Sequence, residues 1–410
     1  MKKLFALLLS LAMVLALVAC GQKDPTPDTP DTPDDPQTKV EYKVAMITDY
    51  GDITDQSFNQ TTYEACKAFA EDNSIEFSYF KPAGDNTADR VAMIEKAVDE
   101  GFNVIVMPGY AFGGAIVEAA PEFPDVKFIA LDVAAGDLLE TAVAKAGEAY
   151  DYTPENWDLN KYVDMSNVYC AVYQEELCGY MAGYAAVKLG YKNLGFLGGM
   201  SVPAVVRYGY GFVQGVDAAA ADLGLTDVKL NYIYGGQFFG DADITAVMDT
   251  WYQGGTEVVF ACGGGIYTSA VDAAKKVNAK VIGVDVDQAG VIANYAGVDG
   301  MTVTSAMKGL YPATYDTLTD VIVNGNWDKY VGKIETLGLV SGTDPEANYV
   351  QIPMGDGTQW SDSFTQDDYK AMVKDMFDGK ITVSNNTSSD VSAADFATVI
   401  TVDDQGSIKG

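Results

Sequence analysis

Three aspartates stand directly after short apolar runs of the sequence, where a side chain could contact a small ligand. They are Asp49, Asp132 and Asp285. In an open parallel sheet, ligands bind beyond the carboxyl ends of the strands, so carboxylates at these ends can face one cleft. Such a carboxylate accepts hydrogen bonds from sugar hydroxyls or ring N–H groups, each worth about 1.5–3 kcal/mol. A single Asp in a loop more often caps a helix, so it is the repetition that predicts a site.

An aromatic and an amide side chain, Phe58 and Asn59, begin the helix that follows the first predicted strand. A bulky ring at an exposed helix start suits a stacking surface for a planar ligand, and Asn59 offers both a donor and an acceptor. The alternative is that Phe58 packs as a hydrophobic staple. Ser57 and Gln60 have the spacing of a capping box, which predicts that Ser57 caps this helix.

A lone lysine and three glycines are further candidates for ligand binding or close packing. Lys308 follows an apolar run near Asp285, where it either binds hydroxyl groups or balances the aspartates, unless it is simply solvated. Gly263 follows another predicted strand, and its backbone N–H could approach a ligand closely. No glycine-rich stretch has the dinucleotide-binding or P-loop spacing. Gly211 and Gly215, spaced by four within a predicted helix, indicate close helix–sheet packing.

The composition excludes several kinds of chemistry. The 410 residues include no histidine, which removes histidine triads, histidine general bases and imidazole metal ligands. The net charge of −32 argues against nucleic acid as a partner and against adhesion to anionic lipid. We expect no catalytic residue, no cofactor and no metal, since the pair Asp285 and Asp287 is the only, weak hint of a cation site.

Apart from Cys20, the sequence has four cysteines, each in an apolar run and none in a Cys-x-x-Cys pair: Cys66, Cys170, Cys178 and Cys262. Apolar surroundings favour buried free thiols, although export would permit disulfides. The sequence therefore predicts four free, buried cysteines.

The elements that must position these residues alternate between short strands and helices from residue 43 onward. This rhythm is typical of parallel sheets covered by helices. A polar, Tyr-rich stretch at 134–165 interrupts it and is interpreted as an insertion or a crossover. The predicted strands are 43–48, 75–80, 103–107, 126–131, 168–172, 193–197, 228–232, 257–261, 280–284 and 302–305.

Two successive α/β units of similar size predict two lobes, since the chain is long for a single core. The predicted boundaries are 39–166 for lobe 1, 167–298 for lobe 2, 299–330 for a return to lobe 1, and 331–410 for a return to lobe 2 with a tail.

The first 38 residues predict export and a lipid anchor. Lys2 and Lys3 precede an apolar run that ends at residue 19, the pattern of a secretory signal and too short for a membrane span. Small residues before Cys20 resemble a bacterial lipobox, whose cysteine is acylated; the alternative is an ordinary signal peptide with an incidental cysteine. The rest of 20–38 is a Pro-, Asp- and Thr-rich linker, extended and self-repelling. We expect a body anchored by lipid to the cell membrane on its extracytoplasmic side.

Four stretches resemble the basic membrane protein family of substrate-binding lipoproteins, which includes purine-nucleoside receptors of ABC importers. They are ITDYGDITDQSFNQ (47–60), EELCG (175–179), GGMSVPAVVR (198–207) and IGVDVDQ (282–288), within a resemblance that covers about 42–335. The resemblance implies the α/β fold of type I periplasmic binding proteins, with two Rossmann-like lobes, parallel sheets and a hinge of three crossings. It also implies an ABC permease as partner and no catalysis.

The resemblance also implies roles for single residues. Its base-contacting positions match Asp49, Phe58 and Asn59. Its ribose side matches Asp132, Asp285 and Lys308, and a second stacking ring would come from Phe238 or Phe239. The chain departs from the family pattern in the length of segment 134–165 and in Asp52, where the family usually has glycine.

These expectations combine in a monomeric receptor that closes two lobes on a nucleoside, above all a purine nucleoside. One alternative is a binding protein for a sugar or a signalling molecule. Another is a nucleoside-hydrolysing enzyme on the same scaffold, which would need a water-activating residue or a metal cluster.

The anchor is testable by replacing the acylated sulfur. The variant Cys20→Ser cannot accept the lipid, so it should move from the detergent phase to the aqueous phase in a two-phase partition of whole-cell extract. A Cys66→Ser variant controls for the loss of a thiol. Retention of the Cys20→Ser protein in the detergent phase would contradict the lipobox.

Overall fold

The computed structural model describes residues 41–409, in which thirteen strands form two sheets. The predicted signal segment 1–19, Cys20 and the rest of the predicted linker to residue 38 lie outside the described residues. The first sheet has the order β11-β5-β4-β3-β1-β2, and the second has the order β12-β10-β9-β8-β6-β7-β13. All strand pairs are parallel except β10 with β12. The strands are β1 (Lys43–Ile47), β2 (Glu76–Phe80), β3 (Val104–Pro108), β4 (Lys127–Leu131), β5 (Val168–Tyr173), β6 (Asn193–Gly198), β7 (Lys229–Tyr234), β8 (Val258–Cys262), β9 (Lys280–Asp285), β10 (Thr302–Lys308), β11 (Ile334–Leu337), β12 (Val350–Gln351) and β13 (Thr401–Ser407).

Helices cover the sheets, as the alternating pattern predicted. They are α1 (Phe58–Asn73), α2 (Thr87–Asp99), α3 (Gly113–Ala119), α4 (Ala135–Lys145), α5 (Leu159–Tyr162), α6 (Glu175–Lys188), α7 (Pro203–Leu223), α8 (Ala242–Gln253), α9 (Tyr267–Val277), α10 (Ala289–Ala296), α11 (Leu310–Leu318) and α12 (Gln366–Phe377). Across residues 41–409, no helix combines the length and the apolar character that a membrane crossing requires. One contiguous apolar core contains side chains from both sheets, and a further core lies against one face of each.

The ten predicted strands are all present, but the predicted lobe boundaries are wrong. Strand β5 pairs with β4 and β11 in the first sheet, so segment 134–165 is the crossover between β4 and β5 and does not mark the end of a lobe. Strand β10 pairs with β9 and β12 in the second sheet, so the return to lobe 1 begins only after it. Strand β11 then belongs to the first sheet, within a segment predicted for lobe 2. A strand's apolar pattern shows that it is buried but does not show in which sheet.

The chain crosses between the lobes three times, as the family resemblance implied. The first crossing runs from β5 into α6, which packs against α7 of the second lobe. The second runs from β10 into α11, which packs against α1 of the first lobe. The third runs from β11 to β12. The first crossing therefore lies directly before Glu175, and the second lies directly after Lys308.

Asp55, and not Ser57, caps helix α1. Its carboxylate accepts from the backbone N–H groups of Ser57 and Gln60 at 3.0 Å and of Asn59 at 2.8 Å. The Ser57 hydroxyl makes no capping bond, and the side-chain Oε1 of Gln60 accepts from Gln56 instead. The predicted capping box is therefore wrong, because a carboxylate two residues earlier reaches the same donors, and the Ser57 hydroxyl is left for another partner.

Helices α6 and α7 touch backbone to backbone through glycines on both. An added Cβ at Gly211 would lie 2.1 Å from the carbonyl oxygen of Glu176, and one at Gly215 would lie 2.1 Å from that of Tyr180. Gly179 and Gly183 of α6 face the backbone of α7 in the same way. The predicted helix–sheet packing of Gly211 and Gly215 is therefore a helix–helix contact.

This contact predicts that a single methyl group forces the helices apart. Gly215→Ala should lower the free energy of unfolding by about 1–3 kcal/mol, as overpacking does in cores. Gly290→Ala is the matched control, because a Cβ at Gly290 in α10 meets no atom within 4 Å. It should be neutral or stabilising by about 0.5–1 kcal/mol, since alanine is the better helix former. Urea unfolding measures both, and equal stability of the two variants would contradict the close contact.

Candidate functional site

A cavity of about 440 Å³ lies between the lobes at the carboxyl ends of the strands. The structure brings all nine residues proposed from the sequence to its wall: Asp49, Phe58, Asn59, Asp132, Phe238, Phe239, Gly263, Asp285 and Lys308. They come from both lobes, because the strands of the two sheets end toward the same cleft. The rule for open parallel sheets therefore located the cavity from sequence.

Asp49 and Asn59 form one polar cluster in the first lobe. The Asp49 Oδ1 accepts from the backbone N–H groups of Tyr50 and Gly51 at 2.7 Å and from Asn59 Nδ2 at 3.3 Å. Burial raises the pKa of Asp49, against the lowering effect of these hydrogen bonds. Asn59 Nδ2 also donates to Asp55 at 3.2 Å, and two carboxylates around one nitrogen fix the orientation of the amide.

Lys308 is the centre of a second, charged cluster. Its buried ammonium donates to Asp132 Oδ2, lies 3.4 Å from Glu175 Oε1 and lies 4.0 Å from Asp285 Oδ1. Burial alone would lower the pKa of Lys308, but the surrounding carboxylates raise it above its usual value. The ammonium also lies 4.8 Å from the ring centroid of Phe58, within the range of a cation–π contact. Lys308 is thus charged and balances the aspartates, one of the two roles that the sequence left open.

Asp285 ties the two lobes together across the cavity. Its Oδ2 accepts from the Ser57 hydroxyl of the first lobe at 2.5 Å, and its Oδ1 accepts from Tyr208 at 3.3 Å. A neighbouring contact of the same kind joins Gln288 Nε2 to the backbone oxygen of Gln56 at 3.1 Å. The bonds to Ser57 and Gln56 belong to a closed arrangement, because each joins the end of β9 or the residues just after it in the second lobe to the segment at the start of α1 in the first.

Two of the predicted carboxylates sit on strained backbone. Asp132 has φ of 59° and Asp285 has φ of 64°, in the left-handed region that non-glycine residues seldom adopt. Such strain costs of order 1–3 kcal/mol and persists only where surrounding structure holds it. Each residue ends or directly follows a strand, so the turn directs its carboxylate into the cavity instead of along the helix that follows.

Aromatic rings form the rest of the wall. Phe238 is half-buried, and its ring centroid lies 6.5 Å from that of Tyr50 across the cleft. Phe239 is 59% exposed. An added Cβ at Gly263 would lie 2.8 Å from the Phe238 ring, so this glycine makes room for the ring. Of the two phenylalanines that the sequence could not separate, Phe238 is the one packed into the wall.

Two buried acceptors of the cavity wall have no hydrogen-bond partner among residues 41–409. They are Asn59 Oδ1 and Asp132 Oδ1. A buried acceptor left unpaired costs about 1–3 kcal/mol. One acceptor belongs to the Asp49 cluster and the other to the Lys308 cluster, so a ligand that carries donors for both would regain that free energy twice.

Glu175 and Arg207 belong to the charged cluster but were given no role from sequence. Arg207 Nε donates to Glu175 Oε2 at 2.6 Å, and Glu175 is fully buried. Each is a charged residue in the first turns of a mainly apolar helix, much as Lys308 is a charged residue at a mainly apolar junction of strand and helix. Asp287, by contrast, is exposed and accepts from the backbone N–H of Ala289. It is absent from the cavity wall, and within 41–409 no group of Cys, Asp or Glu side chains has the arrangement of a metal site.

The chain is similar in sequence to a family of known proteins. Residues 42–343 match the family model described as ABC transporter substrate-binding protein, PnrA-like. The chain is 25% identical over 389 residues to the ABC transporter nucleoside-binding protein BmpA of Lactococcus lactis, covering 92% of this chain and 96% of the relative. It is 26% identical to a lipoprotein of Pyrococcus abyssi, covering 74% of this chain and 69% of the relative.

A solved structure shares the fold. The solute-binding protein of an ABC transporter system from Aeropyrum pernix superposes with a TM-score of 0.60 at 19% identity, covering 83% of this chain and 87% of that chain. This likeness confirms the predicted two-lobed fold.

Burial of Asp137 beside the cavity predicts a pH dependence of stability. Burial raises the pKa of Asp137 to about 7, although its carboxylate accepts from the Ala134 N–H at 2.7 Å. Between about pH 4 and pH 7 the folded chain then binds a proton that the unfolded chain does not, so stability falls as pH rises. Asp137→Asn keeps the acceptor and removes the titration. Its stability relative to wild type should rise by on the order of 1–3 kcal/mol from pH 4 to pH 8.

Urea unfolding at several pH values measures this difference. Asp299→Asn, which removes an exposed carboxylate, controls for the change in net charge. A difference between Asp137→Asn and wild type that stays constant from pH 4 to pH 8 would contradict the raised pKa.

Proposed function

The chain belongs to the family of PnrA-like ABC transporter substrate-binding proteins, and on this basis we propose that it binds a purine nucleoside between its lobes. The base would lie against the rings of Phe58 and Phe238. The ribose hydroxyls would bond to Asp132, Asp285 and Lys308.

The observation that carries this proposal is the pair of unpartnered acceptors in separate clusters of one cavity. Asn59 Oδ1 lies in the cluster beside Phe58, and Asp132 Oδ1 lies in the cluster around Lys308. A nucleoside has donors of two kinds, ring N–H groups on the base and hydroxyls on the ribose. A free base or a free sugar would satisfy one cluster and leave the other acceptor unpaired.

The acceptors of the first cluster favour a base with a donor edge. Asn59 Oδ1 has no partner among the described residues, and the Asp49 Oδ1 is already bonded to backbone N–H groups, which leaves its Oδ2 for a ligand. A 6-oxopurine presents N1–H to such acceptors, whereas adenine presents an unprotonated N1. We therefore infer that inosine or guanosine binds more tightly than adenosine.

The charges of the wall disfavour a phosphorylated ligand. The cavity wall contains more carboxylates than cations. The carboxylates are those of Asp49, Asp52, Asp55, Asp132, Asp137 and Asp285, and the cations are Lys81, Arg207 and Lys308. Arg207 and Lys308 are already paired with carboxylates. A phosphate would have to enter a region with excess negative charge, so an uncharged nucleoside suits the cavity better than a nucleotide.

The names of two relatives support a role for this binding in the import of the ligand. The Lactococcus lactis relative is named as a nucleoside-binding protein of an ABC transporter, and the relative from Pyrococcus abyssi is named a lipoprotein. We propose that this chain is anchored through Cys20 on the extracytoplasmic side of the membrane and delivers its ligand to a permease. The interlobe bonds of Asp285 and Gln288 would mark the closed form that a permease receives.

Two other functions remain distinguishable by experiment. A sugar-binding protein would use the Lys308 cluster and gain little from Phe58. A nucleoside hydrolase would release free base from inosine, which chromatography of a prolonged incubation detects.

Removal of a stacking ring separates the nucleoside receptor from a sugar receptor. Stacking of a base on an aromatic ring is worth about 1–3 kcal/mol, so Phe58→Ala should weaken inosine binding by about tenfold to a hundredfold. Titration calorimetry with inosine, adenosine and ribose measures the loss. Phe239→Ala is the matched control, because its ring is mostly exposed and should contribute little.

Binding of ribose that is tighter than binding of inosine and indifferent to Phe58→Ala would overturn the nucleoside assignment. Equal affinity of wild type for inosine and adenosine would remove the 6-oxopurine preference alone.

A further inference from the structure

The last residues of the described chain form a strap along the edge of the second sheet, beyond the part that matches the family model. We call residues 398–409 the C-terminal strap. Its strand β13 pairs in parallel with β7, from Thr401 opposite Lys229 to Ser407 opposite Tyr234. The strap therefore ends beside the residues that follow β7, which are the loop 235–241 that contains Phe238.

The base of the strap is fixed to helix α7 by one carboxylate. Asp217, which is 7% exposed, accepts from the backbone N–H groups of Thr398 and Val399 at 2.8 Å and of Ile400 at 3.2 Å. The Thr398 hydroxyl donates to the same side chain at 2.6 Å. Four bonds to one buried side chain set where the strap begins, independently of its far end.

The far end of the strap holds loop 235–241 from outside. The backbone N–H of Ile408 donates to the Tyr234 oxygen at 2.8 Å, directly before the loop. Lys409 Nζ donates to Gln237 Oε1 at 2.9 Å and forms an ion pair with Asp241, so it joins two points of the loop. An added Cβ at Gly236 would lie 2.7 Å from the Lys409 oxygen, which shows how closely the two backbones approach.

The inner side of the same loop forms the wall of the cavity. The Phe238 ring lies so close to Gly199 that a Cβ there would be 2.4 Å from it, and the Phe238 oxygen accepts from Gly265 N–H at 2.9 Å. Phe238 and Phe239 both line the cavity. Loop 235–241 therefore lies between the strap and the cavity, and it is contacted on both sides.

We propose that the C-terminal strap is a positioning element for the stacking ring of Phe238, so that ligand affinity depends on Ile408 and Lys409, which are not part of the cavity wall. The inference rests on the proposed function in one respect, namely that the ligand has a planar group for Phe238 to stack on. The strap contacts the loop and not the ligand, so its effect on affinity must pass through Phe238.

A double-mutant cycle tests this dependence. Full-length protein is compared with a variant that ends at Ser407, each with Phe238 or with Phe238→Ala. The shorter variant keeps β13 and the bonds to Asp217, so the strap stays attached. With Phe238 present, loss of residues 408 onward should weaken inosine binding by about tenfold, the size of coupling expected between contacting elements. With Phe238→Ala, the same truncation should change affinity less than twofold.

Point variants exclude a general loss of structure. Lys409→Met should weaken inosine binding in the same direction, and Lys409→Arg should restore it, because the guanidinium can also join Gln237 and Asp241. Lys380→Met is the matched control, since it removes an exposed lysine paired with Asp375 and Asp378, residues at and after the end of helix α12. Equal weakening in the Phe238 and Phe238→Ala backgrounds would overturn the positioning role, and so would failure of Lys409→Arg to restore binding.

Hydrogen exchange tests, without any ligand, whether the strap holds loop 235–241 in place. The amides of Gly235 and Gly236 donate to the oxygens of Gly198 and Gly199 at 2.7 and 2.9 Å, so their exchange reports how well the loop is held. In the variant ending at Ser407 these amides should exchange faster, while amides of β3 in the first lobe stay unchanged. Unchanged exchange at the loop would overturn the strap proposal. Absence of inosine binding in wild type would instead overturn the proposed function.

Discussion

The ammonium of Lys308 lies among carboxylates that come from separate parts of the chain, and the arrangement of both lobes around the cavity depends on it. Asp132 directly follows strand β4 of the first sheet, Glu175 begins the helix after the first crossing, and Asp285 ends strand β9 of the second sheet. Without a central cation, three buried carboxylates could not stay charged at this separation, because unpaired buried charge costs several kcal/mol. Lys308 itself is the last residue before the second crossing. The hinge and the ligand site therefore share one electrostatic centre, and a change of charge in either affects the other.

The aromatic side of the cavity is organised differently, through packing and backbone contacts. Phe238 has glycines on its inner side, at Gly199 and Gly263, and the C-terminal strap on the outer side of its loop. The charged cluster is built within the part of the chain that matches the family, whereas the outer support of the ring comes from beyond residue 343. The aromatic part and the charged part of the cavity wall can thus vary separately.

Much of this architecture could be predicted from sequence, for physical reasons that also explain the failures. Strand ends in parallel sheets meet at one edge, so Asp49, Asp132 and Asp285 could be placed together without knowing the fold in detail. The lobe boundaries could not, because β5 and β10 are buried runs that would suit either sheet. Strand β13 was missed because its residues are mostly exposed and polar, and it pairs only along an edge. The cap of α1 was misassigned because Asp55 and Ser57 compete for the same backbone donors, and only geometry decides between them.

The four described cysteines are 0–1% exposed and free, as predicted, with Cys66 and Cys170 in the first lobe and Cys178 and Cys262 in the second. Burial raises the pKa of the Cys66 and Cys170 thiols, and the thiolate is the form that reacts with alkylating agents. In the folded protein each thiol is therefore unreactive toward alkylating agents until the structure around it unfolds locally. The rate at which each thiol is alkylated therefore reports the opening of the structure around that thiol. The native sequence thus contains its own probes of local unfolding, with no label to be introduced.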